Sequence, residues 1–445
     1  MLKSGKLSVR LRTSANFPLL HENRFTGAGC CMPHNRLFAG WSDQPRSAHQ
    51  THLHRSFYRR CSLRSSLEKK ADSAQCRQSL YFTPASNTKL FSFYAGLLLL
   101  PDTLPTLRYV VRQDSLIFWG AGNPLLLHPD LTDTTALAFL RGRTERLFYS
   151  PANYTGQRFG SGWAWDDYND DYSAELAPLP LYGNVVRFTT SPAGRRVVPK
   201  LFADSVSATA KDGSSRRDEF TNRFKVPTTL RTGRQDVPFR WSPVLAAQLL
   251  ADTLHRPVGL VNRPVPADAR LLRSASADSL YKRMLQVSDN QFAEQVLLMA
   301  SAERQRDQLS SSAVLRYMAD SVLRYPATSA RWADGSGLSR YNLFTPNVLI
   351  DLLGRIYEKV PQQRLFALLP AAGQSGTLRG MLTAEKPYVF AKSGSMSGVY
   401  NLSGYLLTRR GKLLFFSIMH NNFTQPVADM RRRTAELLQQ LHDRL

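Results

Sequence analysis

Residues Leu90–Leu100 form an almost unbroken apolar run, Leu-Phe-Ser-Phe-Tyr-Ala-Gly-Leu-Leu-Leu-Leu. A bilayer crossing needs roughly 20 such residues, so this run is too short to span one and must be buried as a core helix. Immediately ahead of it stands Pro84-Ala85-Ser86-Asn87-Thr88-Lys89. Ser86 and Lys89 are three residues apart, nearly one helical turn, and project from the same face. A serine hydroxyl becomes a useful nucleophile when a neighbouring base takes its proton. A lysine can be that base if burial or a second cation lowers its pKa. A helix start also points free N–H groups and a positive dipole end at an oxyanion formed there. The stretch is therefore a candidate acylation centre.

Ser-x-x-Lys is a loose pattern. It recurs at Ser66–Lys69 and Ser279–Lys282, but neither copy has Pro-Ala before it and a long apolar run behind it. The case rests on partners elsewhere in the chain.

At 445 residues the chain is expected to hold two or three domains. Its net charge of +24 is uneven: residues 1–66 carry eleven Lys and Arg against only Glu22 and Asp43. The same segment holds Cys30, Cys31 and Cys61, and no cysteine follows Cys76. Disulfides therefore contribute nothing to the body of the protein, and cysteine usage names no compartment. Residues 1–66 show neither a helical nor a strand period. They suit a basic disordered tail, a nucleic-acid-binding arm, or a start site or frame assigned too early. Cys30, Cys31, His34 and Cys61 could in principle ligate zinc, but their spacing matches no recurring zinc pattern. Lys3–Leu20 lacks the uninterrupted apolar core of a secretory signal.

From residue 101 to about 238 the chain is expected to be mostly β. Leu107–Val111 and Ser115–Trp119 have hairpin spacing, and Val185–Phe188 and Arg196–Pro199 continue the strand pattern. Gly120–Pro124 lacks the glycine spacing of a phosphate loop. Trp163–Tyr172 is dense in carboxylates and aromatics but lacks the Gly and closing Glu of a calcium loop, so it reads as an aromatic loop packed on the core. Helical character returns at Ser242-Pro243, a fair N-cap and first-turn proline. Two further helical stretches flank Ser288-Asp289-Asn290, a tripeptide that alone signals no more than a helix cap. Asp334-Gly335-Ser336-Gly337-Leu338-Ser339-Arg340 is a glycine-punctuated loop, explained equally by an Asx-type turn or by substrate contact. Phe390–Ser395 begins a strand. Leu402–Thr408 and Lys412–Met419 make a hairpin across Arg409-Arg410-Gly411, and an amphipathic helix closes the chain from about Pro426.

Ser86-x-x-Lys89, Ser288-Asp289-Asn290 and Lys392-Ser393-Gly394 thus stand in one order, at a helix start, an inter-helix junction and a strand. Each is weak alone; Lys-Ser-Gly recurs at Lys3–Gly5. Together they are the motif set of penicillin-binding proteins and β-lactamases. With Pro-Ala-Ser-Asn-Thr-Lys, the Asp334–Arg340 loop and Leu402-Ser403-Gly404-Tyr405, the chain from about residue 77 onward resembles the class C low-molecular-mass penicillin-binding proteins, the D-alanyl-D-alanine carboxypeptidase/endopeptidase family. Two departures stand out. Ser393 replaces the usual Thr, and no strand upstream of Phe82 or export signal is apparent.

The resemblance implies an α/β (α+β) fold: a serine β-lactamase/transpeptidase-like core, an antiparallel sheet flanked by helices, built from 67–100 and 239–445. A mostly β insert over 101–238 would interrupt it. It further implies that Ser86 attacks the penultimate D-Ala carbonyl and Lys89 takes its proton, with the charge of Lys392 depressing the Lys89 pKa. Ser288 would relay a proton to the leaving amine and Asn290 would hold the substrate amide. Lys392, Ser393, Gly394 and Ser395 would form the third, carboxylate-binding element, and the N–H groups of Ser86 and Ser395 the oxyanion hole. No cofactor or metal is called for. The implied partners are peptidoglycan peptides and β-lactam antibiotics rather than nucleic acid, with peripheral membrane or wall contact, in the periplasm or cell envelope. The alternatives are another acyl-serine hydrolase of this fold, an esterase or β-lactamase, and a non-enzymatic wall- or nucleic-acid-binding protein. Oligomeric state is not legible.

Overall fold

The computed structural model describes the backbone of Lys6–Thr13 and residues 79–445, except 132, 193, 210–212, 229–232 and 306–307. The zinc alternative at Cys30, Cys31, His34 and Cys61, the look-alike motifs at Ser66–Lys69 and Lys3–Gly5, and the nature of residues 14–66 lie outside the described residues.

Two adjacent runs, Val399–Leu407 and Leu413–Asn421, are buried almost throughout and pair antiparallel across the turn at Gly411. They read as continuous apolar segments because both faces of their sheet are covered. Leu414, Phe416 and Ile418 point to one face, where Leu438 and Leu441 of the C-terminal helix Val427–Arg444 pack on them. Leu413, Phe415 and Met419 point to the other, against the helices Lys89–Leu99 and Pro346–Lys359. Val389–Met396 adds one antiparallel edge.

The other edge is Lys6–Thr13, paired antiparallel with Leu413–Asn421 so that Leu7, Val9 and Leu11 stand opposite His420, Ile418 and Phe416. This overturns the expectation that residues 1–66 hold no strand and that the sheet lacks an upstream strand. The physical signal is a period-two alternation, Leu7, Val9 and Leu11 between Lys6, Ser8, Arg10 and Arg12.

The insert is a mixed α/β unit. Thr103–Arg112 and Ser115–Gly120 form the expected hairpin. The helix Thr135–Arg141 then carries the chain across to Arg146–Tyr149, parallel to Ser115–Gly120. Val258–Leu260 and Arg270–Ser276 complete a five-stranded sheet. A three-stranded antiparallel sheet, Gly233–Pro238, Val185–Ser191 and Gly194–Val198, lies beside it. Phe188, Phe202, Phe224 and Phe239 share one apolar cluster with Leu245, Leu249 and Leu250 of the helix Pro243–Leu254. That helix begins as its sequence signals: Ser242 Oγ accepts the Leu245 N–H at 3.1 Å, with Pro243 in the first turn. The boundary expected at 238/239 therefore falls too early, because residues 243–254, 258–260 and 270–276 pack with the insert.

The helices Ala277–Gln286, Asn290–Arg304 and Pro346–Lys359 enclose Lys89–Leu99, making it the buried core helix its apolarity requires. Among the described residues, no helix is long and apolar enough to cross a membrane.

Candidate active site

Ser86 lies in a 3-10 turn, Ala85–Thr88, that leads into the helix starting at Lys89. Buried polar contacts hold this turn. Asn87 Nδ2 donates to Ser403 Oγ at 2.9 Å, and Ser403 Oγ pairs with Ser417 Oγ at 2.9 Å. Thr88 Oγ1 donates to the Ala85 carbonyl at 2.9 Å. Ala85 itself has φ 48°, a left-handed conformation that a non-glycine residue keeps only when its surroundings hold it.

Two glycines allow other segments to reach the turn. A Cβ on Gly394 would sit 2.5 Å from the Pro84 carbonyl oxygen and 3.0 Å from the Ser86 and Asn87 nitrogens. Gly394, expected in the carboxylate-binding element, thus serves close packing of the edge strand on the nucleophile turn. A Cβ on Gly337, which has φ +86°, would lie 2.0 Å from the Ala85 carbonyl oxygen. Gly337→Ala is expected to lose at least about 2 kcal/mol of stability, from strain and overpacking together. Urea melts would check this, and an unchanged midpoint would refute it.

Lys89 is 0% exposed. Its Nζ makes three contacts: Ser86 Oγ at 3.0 Å, Asn290 Oδ1 at 2.5 Å and the Ser336 carbonyl at 2.6 Å. The last two oxygens can only accept. A neutral amine that donates its two N–H groups to them leaves its lone pair facing Ser86 Oγ. Burial lowers the Lys89 pKa to about 8, while Asp334, Asp289 and Glu294 oppose that shift. The cause differs from the one expected: it is burial, not the charge of Lys392. Lys392 is likewise 0% exposed and is itself pushed well below the ordinary lysine range, by burial first and then by the charge of Lys89.

Lys392 Nζ donates to Ser288 Oγ at 2.8 Å and to the Ser393 carbonyl at 2.7 Å. The structure therefore brings Ser86 and Lys89 together as one Ser–Lys pair, with Asn290 on Lys89, and Ser288 and Lys392 together as a second. The capping role of the Ser-Asp-Asn tripeptide falls to Asp289, whose Oδ1 accepts the Phe292 N–H at 3.1 Å. Ser288 is left with φ 63° and a hydroxyl turned to Lys392. Asn290 differs from its expected place: its carbonyl oxygen faces Lys89, and its Nδ2 donates to the Tyr172 carbonyl at 2.8 Å. Ser393 Oγ pairs with Thr377 Oγ1 at 2.7 Å. Ser395 is exposed on the edge strand.

The sequence reading left Asp334 and Ser336 undecided between loop structure and substrate contact. Asp334 is 3% exposed and accepts from the Gly337 and Ser339 N–H groups (2.8 and 2.7 Å), Asn342 Nδ2 (2.6 Å) and Trp163 Nε1 (2.9 Å). It holds the loop that presents the Ser336 carbonyl to Lys89. Glu294 is buried beside it, accepts the Ser336 N–H at 2.7 Å and is pushed up to about 7, chiefly by burial. Sequence reasoning missed these supports. The useful atom of Ser336 is a main-chain oxygen, and Trp163 and Tyr172 come from a loop expected to pack only on the core.

The sequence profile of the D-Ala-D-Ala carboxypeptidase 3 (S13) family matches residues 65–441. The D-alanyl-D-alanine carboxypeptidase DacB of Haemophilus influenzae is 25% identical over 419 residues, covering 81% of this chain and 85% of that protein. A D-alanyl-D-alanine carboxypeptidase of an Actinomadura species is 29% identical over 403 residues, 77% of this chain and 74% of the relative. The crystal structure of penicillin binding protein 4 (dacB) from Haemophilus influenzae superposes with a TM-score of 0.67 at 22% identity, over 83% of this chain and 93% of that one. The fold is thus that of a penicillin-binding protein.

Proposed function

We propose that this chain, which belongs to the D-Ala-D-Ala carboxypeptidase 3 (S13) family and is a serine-type peptidase, cleaves the terminal D-Ala from peptidoglycan stem peptides through an acyl-enzyme on Ser86. The observation that carries this reading is the placement of the buried Lys89 Nζ 3.0 Å from Ser86 Oγ, with two carbonyl acceptors aiming its lone pair there. Ser86 Oγ attacks the carbonyl carbon of the penultimate D-Ala as its proton passes to Lys89. The N–H groups of Ser86 and Ser395 receive the oxyanion, each worth roughly 3–4 kcal/mol in comparable sites. The C–N bond to the terminal D-Ala then breaks as Ser288 gives its proton to the leaving amine and takes one back from its donor, Lys392 Nζ, while Lys89 keeps the proton of Ser86. Water then attacks the ester carbonyl, its proton passing through Ser288 to Lys392, and the C–O bond to Ser86 breaks as Lys89 returns the proton to Ser86 Oγ.

Lys392, Ser393 and Ser395 line the edge strand along which the terminal carboxylate binds. Asn290 acts on Lys89 as its orienting acceptor, its own amide held by the Tyr172 carbonyl. Penicillin acylates the same hydroxyl. The same chemistry on a cross-linked peptide gives endopeptidase activity, and the place of action is the cell envelope.

The test combines mass spectrometry of the protein after incubation with penicillin and D-Ala release from a peptide ending in D-Ala-D-Ala. The expected result is one covalent adduct, mapped to the peptide containing Ser86, together with D-Ala release. A folded protein that gives neither would refute the reading.

A further inference from the structure

Ser288 is a non-glycine residue with φ 63°, a conformation that persists only when its surroundings over-determine it, and here the two residues that follow it, Asp289 and Asn290, are each held. Both holds trace to the insert. On the Asn290 side, the Tyr172 carbonyl of the insert accepts Asn290 Nδ2 at 2.8 Å. On the Asp289 side, Asp289 Oδ2 accepts Arg283 Nε at 2.9 Å, while Arg283 NH1 reaches Asp130 Oδ2 at 3.2 Å. Asp130 follows the strand Ser115–Gly120 and takes both terminal nitrogens of Arg187, at 2.6 and 3.1 Å. Arg187 in turn binds Asp236, directly opposite it on the neighbouring strand, through two contacts of 2.8 Å.

The result is an alternating chain of five charges, Asp236, Arg187, Asp130, Arg283 and Asp289, running from the small insert sheet to the residue beside Ser288. The members' side chains are only 12–21% exposed, so solvent screens them far less than a surface pair. The two contacts of Arg187, with Asp236 and Asp130, are forked, which fixes direction as well as distance, while Arg283 makes a single contact to each of Asp130 and Asp289. Arg234 reaches Asp130 from the rim at 3.1 Å. His128 accepts the Asp130 N–H at 3.1 Å and packs edge-on against Phe292, the residue capped by Asp289.

We propose that the insert clamps the Ser-Asp-Asn tripeptide through this charge chain, and that Arg187, about 100 residues away in sequence, is a positioning residue for Ser288. The inference rests on the acyl-serine function proposed above and gives the insert a part in it: without the clamp, Ser288 relaxes from its left-handed conformation and its hydroxyl leaves Lys392. Remote displacements of this kind can cost about 100-fold in rate.

The experiment measures the rate of Ser86 acylation by a fluorescent penicillin, and kcat and KM for D-Ala release, in the full chain. Arg187→Met and Arg283→Met are each expected to lower the acylation rate and kcat about 10- to 100-fold, with KM within about twofold. Arg187→Met/Asp236→Asn removes the pair together, so it keeps the test open if the single variant unfolds. Asp268→Asn, which breaks an exposed insert ion pair with Arg112, is the control and keeps wild-type rates. In a Ser288→Ala background the Arg187→Met effect is expected to vanish, because both changes act on one hydroxyl. Wild-type acylation in folded Arg187→Met or in the pair variant would overturn the proposal, as would an undiminished effect in the Ser288→Ala background. If Ser288→Ala itself acylates normally while Ser86→Ala does not label, the clamp fails and the acyl-serine reading stands. A folded wild-type chain that takes no label overturns both.

Discussion

Ser86→Ala is expected to abolish covalent labelling by penicillin and to lower kcat/KM for D-Ala release by at least about 10⁴-fold, while the protein stays folded. The asymmetry follows from what the Ser86 side chain does and does not touch. Its oxygen is the group placed at 3.0 Å from Lys89 Nζ, and the other hydroxyl of the site, Ser288 Oγ, is turned to Lys392. No second oxygen therefore stands where attack must begin. The turn itself is held by other residues: Asn87 on Ser403, Thr88 on the Ala85 carbonyl, and Gly394 and Gly337 against its backbone. Ser86 is partly exposed and carries none of these contacts, so alanine should shift stability by no more than about 1 kcal/mol. Intact mass after penicillin treatment and a thermal melt check the two halves. A stoichiometric adduct on Ser86→Ala would move the nucleophile elsewhere, whereas loss of both label and folding would show that the hydroxyl has a structural role not visible in its contacts.

The parts of the fold that depend on local chemistry were legible in the sequence. Ser242 and Thr345 begin helices because a hydroxyl followed by proline satisfies an end N–H and presets the first turn. Leu402–Met419 forms a hairpin because two apolar runs meet at a glycine that accepts φ 77°. Lys6–Thr13 was legible in principle, through its alternation, but the surrounding basic, irregular composition outweighed three alternating aliphatics. The chemistry of the three motifs could be placed because their order and context narrow the choices. What they lean on could not. Ser336 contributes a carbonyl oxygen, which every residue has. Ser288 is left-handed although serine carries no preference for it, and the cause lies in Asp289 and Asn290 being pinned from outside. Arg187 and Asp130 are single charges in a chain rich in Arg, and nothing local pairs them with Asp289. The insert was legible as strands but not as a support, since its contacts with the site are made by one tryptophan N–H, one tyrosine carbonyl and a relay of ion pairs.

Lys89→Met is expected to lower the acylation rate by about 10³–10⁴-fold and to erase the alkaline-rising limb of its pH profile. The sign follows from the proton. Burial lowers Lys89 from the ordinary lysine value to about 8. Only the neutral amine can accept the Ser86 proton, so the wild-type rate should climb as pH rises through about 8 and level above it. At pH 7 about one tenth of the enzyme would carry the neutral base, where an unshifted lysine would leave well under a thousandth. Glu294 supplies the internal control. It lies beside Asp334, is pushed up to about 7, and as an anion holds Lys89 protonated. Glu294→Gln keeps an acceptor for the Ser336 N–H but removes that charge, so the limb should move to lower pH rather than vanish. Methionine at 89 leaves Asn290 Oδ1 and the Ser336 carbonyl without their donor, a loss of about 1–3 kcal/mol, so rates are compared below the variant's own melting range. Stopped-flow acylation between pH 5.5 and 10 separates the outcomes. A limb that survives in Lys89→Met would assign the base to another group, with Lys392 and its bonded Ser288 the next to test. A limb that stays at the same pH in Glu294→Gln would show that the Glu294 charge does not govern Lys89, leaving its desolvated position and the charges of Asp334 and Asp289 as the determinants of its proton affinity.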